Sequence, residues 1–487
     1  MRALTVRAVL FKGIGDLIPL YALYAVLFAD HGLSTGQISS LLAMWSVTAF
    51  LLEVPSGAWA DTVSRRGLLV TSGVLLTAGF ACWTVLPTYL GFAVGFVLWG
   101  TSGALVSGTF EALLYDELVA RNEQRAYPRI IGYARAASEA AIVIAILAAT
   151  PLYIWGGYPL LGWCSVAFAA VHTLVGLSLP SAPKAVSAAA VEDLDDSAGS
   201  SEIVVAPTRE VGVQESSASR VVAAAGQLDR DSAQGPARSG SVAADGTLRR
   251  RPALTADSGS PGVHIAASIS TESRPFATYL NMLRTGVGEA IRVRAVRNGV
   301  ALGALLFGVT AFDEYFALLA QEVGVETAVV PVLVGITVVG SLVGSVMAGR
   351  TEGMSARAMA IAVALGGVLF VGGAVVAGLA VRWPGAVYVL AGVGFTAIGV
   401  SYGIVYNASV VAGARLQDAI EGPARATVTS VSGLASEVVA LAVFGFAAVA
   451  TLWLSMSMST TVALLGASML VIALLIPSSL PRRKSDS

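Results

Sequence analysis

Charge is scarce in this sequence: Asp, Glu, Lys and Arg make up 13% of its 487 residues, about half the usual share in a soluble chain. With 55% hydrophobic residues and a mean hydropathy of +0.75, that shortage excludes an ordinary water-soluble domain. Cysteine is nearly absent. Cys82 and Cys164 fall in separate apolar stretches, give no disulfide framework or metal-ligand spacing, and read as small packing residues. Three histidines, scattered singly, make no metal cluster, so neither a metal nor a cofactor is expected. The net charge of −1 points to no nucleic-acid partner. No Walker-type phosphate loop, H-E-x-x-H or G-x-S-x-G is present, which removes ATP drive and the usual signatures of a membrane-embedded enzyme.

What the sequence has instead is repeated apolar runs of the ~20 residues that cross a ~30 Å hydrocarbon core. Reading them between polar breaks predicts spans at 8–29, 37–60, 68–87, 90–115, 130–153 and 158–179. A second set lies at 298–320, 328–349, 357–381, 385–411, 426–453 and 457–479. Lys12 and Asp16 interrupt the first run where a signal peptide needs an unbroken apolar stretch, so it reads as span one. Arginine and lysine orient the array. They gather at Arg65 and Arg66, at Arg121, Arg125 and Arg129, at Arg350 and Arg357, at Arg415 and Arg425, and at Arg482, Arg483 and Lys484. The alternate segments "DHGLSTG", "LPTY", "WGGYP", "QEVGVET" and "SMSMS" carry none, and only Arg382 departs from the pattern. Both termini are therefore expected on the cytoplasmic side of the cell membrane.

These readings predict an all-α integral membrane protein of twelve transmembrane helices. A six-helix bundle over 1–180 is followed by a long central cytoplasmic linker over 181–275. That linker is rich in Ala, Ser, Gly, Asp and Arg, and is expected to be disordered because it cannot bury enough surface to offset chain entropy. Its "RRRPALT" run reads as a solvated charge cluster. A basic amphipathic segment over 276–297 should lie along the inner membrane surface. The second six-helix bundle covers 298–480 and a tail covers 481–487. A short internal repeat supports the division: "YARAASEAAIV" in span five matches "SVSGLASEVVA" in span eleven, aligning Ser138-Glu139 with Ser436-Glu437.

Between spans two and three runs "EVPSGAWADTVSRR". Its Gly57, Asp61, Arg65 and Arg66 resemble the G-x-x-x-D-x-x-G-R-[RK] signature loop of the major facilitator superfamily, with Ser64 where that family has glycine. A weaker second elbow, "GSVMAGRTEG" at 344–353, has Ala348 at the aspartate position. Gly57 is expected to let helices approach closely, and Asp61 to pair with a nearby arginine or sit at a helix N-terminus. The resemblance implies that this loop holds the halves together in the outward-facing state. It also implies that spans one, four, seven and ten line a central cavity, while two, five, eight and eleven meet between the halves. "E-x-P-[ST]-G" and "SGTFEALLYDEL" look like a bacterial drug-exporter subgroup, although the glycine-proline motif often found in span five of drug/proton antiporters is missing.

Acids inside apolar spans are the candidates for chemistry, since each costs ~2.5–3.5 kcal/mol at a helix centre unless paired or protonated. Glu53 lies ~12 Å into the membrane from Asp61 at ~1.5 Å per residue, and Pro55 beside it can kink the helix. Glu53, Glu111, Glu139 and Glu437 are the proton-coupling candidates. Arg135, one turn before Glu139, is placed to neutralise it, whereas Gly433 precedes Glu437 and offers nothing, so Glu437 needs a partner from another span or a proton. The cavity or substrate candidates are Asp16, Tyr24, Tyr115, Arg135, Asp313, Tyr402, Tyr406 and Asn407. The function expected is secondary active transport of a small amphipathic molecule by alternating access, proton-coupled, with multidrug efflux as one form it can take, by a monomer in the lipid bilayer. The alternatives are a transporter-fold sensor and an uptake permease without proton antiport.

Overall fold

The computed structural model describes residues 1–181, 183–184, 292–420 and 425–481, and both helical halves belong to one packed unit. The expected linker core, most of the basic amphipathic segment and the tail beyond 481 lie outside the described residues. Everything described is helix, short 3-10 turn or connection. Among the described residues, eleven stretches are long and apolar enough to cross a membrane. One of them, Gln124–Ser178, has 55 residues, ~80 Å at the α-helical rise and too long for one crossing. It divides at Gly157, where φ is 61° and ψ is −156°, a backbone that glycine alone adopts without strain. The chain therefore makes twelve crossings among the described residues, six before the linker and six after it.

Spans two and three are Thr35–Thr62 and Arg65–Val85; spans eight to ten are Val330–Thr351, Ala356–Leu379 and Val387–Ala419; eleven and twelve are Arg425–Leu452 and Met458–Ser479. Short connections work because capping residues start the helices. Ser34, Ser64, Thr88, Ser355 and Ser457 each accept a hydrogen bond from the backbone N–H three residues on, and Ser34 completes a capping box with Gln37. The carboxylate of Glu322 reaches the N–H groups of Met458 and Ser459, a favourable charge for the start of span twelve.

Three spans expected to be continuous are broken. Span one runs as Arg2–Gly15, a 3-10 turn Pro19–Ala22 and Tyr24–Asp30. Pro19 supplies no N–H to the helix, and the hydroxyl of Ser165 in span six accepts from the N–H of Leu20 beside it at 3.1 Å. Span seven repeats this layout as Arg294–Gly308, a 3-10 run Val309–Tyr315 and Phe316–Glu322. Seven residues is long for a 3-10 helix, which seldom runs beyond three or four. Span four breaks at Gly108, with φ 64°, between Tyr89–Val106 and Thr109–Ala120.

Both halves combine buried aromatic side chains with close glycine contacts. The first has an aromatic core in which Phe28, Phe80, Trp83, Phe92 and Phe96 are buried. The second brings backbones together: a Cβ on Gly340 would overlap the Gly399 carbonyl, and one on Gly344 the Gly403 carbonyl, so spans eight and ten meet through two facing small-residue pairs. Gly57 does not do this. Nothing lies within 4 Å of where its Cβ would be, so the expected close approach at the first elbow is corrected: the intimate contact lies on spans eight and ten.

Candidate transport site

The breaks collect the acids. Asp16 is the C-cap of the first piece of span one, Asp313 and Glu314 lie within the 3-10 run of span seven, and Glu111 sits in the first turn after the break in span four. An interrupted helix leaves backbone groups and helix ends at depth, which is tolerated only where protein or a water-lined cavity meets them.

Most of these carboxyl groups are met by a hydroxyl from another span. Ser138 in span five donates to Asp16, and Tyr24 in span one donates to Glu314 across the halves. Tyr402 in span ten donates to Asp313 at 2.5 Å, with Tyr406 stacked edge-on against Tyr402 at 4.9 Å. Ser107, at the break in span four, donates to Glu53 at 3.0 Å, while Ser56 donates to the Glu53 carbonyl in a helix that runs on through Pro55. Ser46 in span two donates to Glu437 in span eleven. That is the partner from another span that Glu437 required, and it is neutral.

Cations pair elsewhere. Ion pairs between described residues include Lys12–Glu111 at 4.0 Å, Arg65–Asp61 at 3.2 Å, Arg65–Asp116 at 2.7 Å and Arg121–Glu117 at 2.6 Å. Arg135 and Glu139 are both exposed and do not pair with each other, so the expected neutralisation is corrected.

The elbow is built around Arg65, which is 4% exposed. It is clamped by Asp61 and by the buried Asp116 of span four, and also donates to the carbonyls of Ala60 and Ala112. Arg66 reaches the Leu177 carbonyl at the end of span six. At the second elbow the cation comes from the opposite partner: Arg415 of span ten donates to the carbonyls of Glu352 and Met354. Both elbows lie on the end of the bundle that carries Arg2 and Ser479, the terminal face.

At the opposite, far face the halves are joined directly. Gln321 donates to Asp30 at 2.5 Å, and Ser39 and Tyr315 share a hydrogen bond of 2.7 Å; within the first half Tyr158 donates to the other Asp30 oxygen at 2.5 Å. A Cβ on Gly36 would overlap Leu452, so spans two and eleven touch there with no room for a side chain.

The remaining candidates fall in less central places. Asn407 is turned onto span eight, donating to the Gly344 carbonyl at 3.0 Å and accepting from Thr351 at 2.9 Å. Tyr115 packs edge-on against Tyr127 at 5.5 Å, inside the first half. Sequence reasoning missed a cavity of about 440 Å³ whose wall comes from spans one, three, four and six. It brings Lys12, Asp16 and Glu111 together with Ser72, Ser102 and His172. Single serines and a lone histidine in apolar spans gave no pattern by which to find it.

Residues 8–439 match the family profile described as Major Facilitator Superfamily. The chain belongs to the major facilitator superfamily. This superfamily is one of transporters, and membership makes the protein a multi-pass membrane transporter. No curated protein sequence matches the chain. Among solved structures it is similar to nucleoside transporter NupG, at 10% identity over 99% of this chain and 98% of that one, with a TM-score of 0.60. It is also similar to a D-xylose-proton symporter, at 15% identity over 99% and 97% of the two chains, with a TM-score of 0.53. At such identities the likeness is one of fold.

Proposed function

We propose that this protein is a proton-coupled secondary transporter of a small amphipathic molecule, rocking its two six-helix halves about acids at their interface. The observation that carries the reading is Glu437, an acid in mid-span that meets, among the described residues, the Ser46 hydroxyl of the opposite half. A hydroxyl serves a carboxyl group in either protonation state, so the site tolerates loss and gain of a proton. Rocking that separates spans two and eleven removes this donor. Glu314, held by Tyr24 across the same divide, is exposed to the same exchange. An ionised acid left alone at this depth costs ~2.5–3.5 kcal/mol, which ties protonation to conformation. In this reading the terminal face, which carries the arginine clusters, is cytoplasmic, and the transporter works as a monomer in the cell membrane.

Two directions of transport fit this machinery. Multidrug efflux is supported by "E-x-P-S-G" at Glu53–Gly57, and uptake by the missing glycine-proline motif of span five. The likeness to a nucleoside transporter and to a D-xylose-proton symporter also favours a polar solute, and the symporter favours its uptake. Vesicles of known orientation separate them, since an exported compound collects in inside-out vesicles and an imported one in right-side-out vesicles. A transporter-fold sensor would bind its ligand and give flux in neither.

The coupling is tested on Glu437→Gln in proteoliposomes with and without an imposed pH gradient. Glutamine mimics the neutral acid, so gradient-driven accumulation should vanish while exchange of substrate down its own gradient survives. If wild type and variant respond equally to the gradient, Glu437 is structural and the coupling passes to Glu53 or Glu111.

A further inference from the structure

On the far face, spans one and seven each end in an acid fastened to the start of the last span of its own half. Asp30, closing span one, accepts from Tyr158 just after the Gly157 break. Glu322, closing span seven, accepts from the N–H groups of Met458 and Ser459 at the start of span twelve. Gln321, beside Glu322, joins the two fastenings by donating to the second oxygen of Asp30 at 2.5 Å. Hydrogen bonds thus run from span six through one and seven to twelve. Asp30 takes one donor from each half, so whatever alters its carboxylate alters the hold between them.

The residue after Asp30 is an exposed histidine. His31 caps the helix Tyr24–Asp30, and its Nδ1 donates to the Leu27 carbonyl at 2.8 Å, a bond that the neutral and the protonated ring can both make. A second proton therefore goes to Nε2 and leaves this anchor in place. The imidazole meets the Tyr158 ring at 6.3 Å and the Phe92 ring at 6.2 Å. A cation there is favoured by the carbonyl end of the helix and by the aromatic faces, and it lies one residue from Asp30. All of these partners belong to the first half. Gln321 is uncharged and gains nothing from the cation, while the carboxylate that holds it bonds most strongly as an uncompensated anion. The other ionisable groups around the turn are the phenols of Tyr158 and of Tyr153, 5.0 Å from it, and Glu322, which is engaged at span twelve.

We propose that Asp30 and His31 form a pH-responsive latch, in which the far face is held shut while His31 is neutral and the Asp30–Gln321 contact loosens when His31 takes up a proton. Histidine is the side chain whose charge ordinarily changes between about pH 5 and 8. That the far face opens in turn with the terminal face rests on the transporter reading; the effect of a proton on the Asp30–Gln321 contact does not.

The test is the distance between two spin labels in the purified full-length protein. They are placed at the exposed positions Leu86→Cys, after span three, and Glu326→Cys, after span seven, with Cys82 and Cys164 replaced by alanine. A short distance should dominate at about pH 8. A longer one, with the far face open, should grow about threefold by about pH 5.5, the scale of an exposed charge contact. His31→Gln stays polar without the charge, and should keep the distribution in its alkaline form throughout. Gln321→Ala should raise the longer distance at both pH values and remove the response. A pH response that survives in either variant overturns the proposal and passes the sensing to acids deeper in the bundle. A wild-type distribution that does not move with pH overturns it as well. A responsive distance without flux of any solute in proteoliposomes upholds the latch and sinks the transporter reading, and flux with an unresponsive distance does the reverse.

Discussion

The two elbows occupy matching places in the two halves and are fastened by opposite means. In the first, the elbow's own Arg65 is gripped by carboxylates, Asp61 beside it and Asp116 on span four. In the second, the elbow offers backbone carbonyls, at Glu352 and Met354, and Arg415 reaches out to them from span ten. A carboxylate clamp depends on charge, and one of its members, Asp61, is 40% exposed at the surface. A backbone carbonyl, unlike a carboxylate, carries no ionisable group. The first elbow can therefore respond to its surroundings, while the second holds its half together. The first half has charged residues around a cavity; glycine-mediated contact occurs in both halves, and between spans eight and ten it brings Gly340 and Gly344 against the backbone of Gly399 and Gly403.

The largest effect is expected at Arg65. Arg65→Ala takes the guanidinium away from Asp116, itself 3% exposed, and removal of one partner from a buried pair costs about 3–5 kcal/mol. Thermal unfolding of the purified protein should show a large loss of stability, and Asp116→Asn in the same background should restore part of it. A variant as stable as wild type would mean that the clamp contributes nothing to the fold.

Next in size is the glycine contact of the second half. Gly344→Leu forces a side chain into the Gly403 carbonyl, and overpacking of this kind costs about 1–3 kcal/mol. Gly57→Ala, at the signature position of the first elbow, meets open space and should leave the melting temperature in place. If the two substitutions have equal effects, the division between a packed second elbow and a charge-held first one fails.

How much of this is legible in the sequence depends on the kind of signal each feature leaves. The spans are legible because the membrane demands ~20 apolar residues wherever it is crossed, and the observed bounds, such as Val330–Thr351 against the expected 328–349, differ by few residues. The break in span one has a marker in Pro19. That in span seven has none: "VTAFDEY" contains no proline or glycine, and its 3-10 form is set by tertiary packing. Pairing of Asp61 with an arginine can be read from one helical turn of spacing, but Asp116, 51 positions away from Arg65, cannot. The same spacing rule fails for Arg135 and Glu139, because one helical turn permits such a contact without dictating it. Ser46 is invisible in the sequence as the partner of Glu437. A serine in a helix ordinarily bonds its own backbone, and only the meeting of spans two and eleven gives it another acceptor.

The smallest effect on stability, and the most informative one on function, is expected for Asp61→Asn. Asp61 is partly exposed, and Arg65 keeps its shorter bond to Asp116 and its two carbonyl partners when the charge is removed. An exposed pair of this kind is worth at most ~1 kcal/mol, so the melting temperature should hardly move. The substitution does change which charges lie at the terminal face, where the halves must part or close during the cycle. Substrate affinity in detergent should therefore stay near wild type, because the acids and the cavity lie deeper in the bundle, while the rate of flux in proteoliposomes falls. Normal flux at normal affinity would reduce the first elbow to a turn with the usual positive charge. Lost affinity with unchanged flux would move the elbow into the binding site, and the contrast between a responsive first half and a fixed second half would have to be drawn elsewhere.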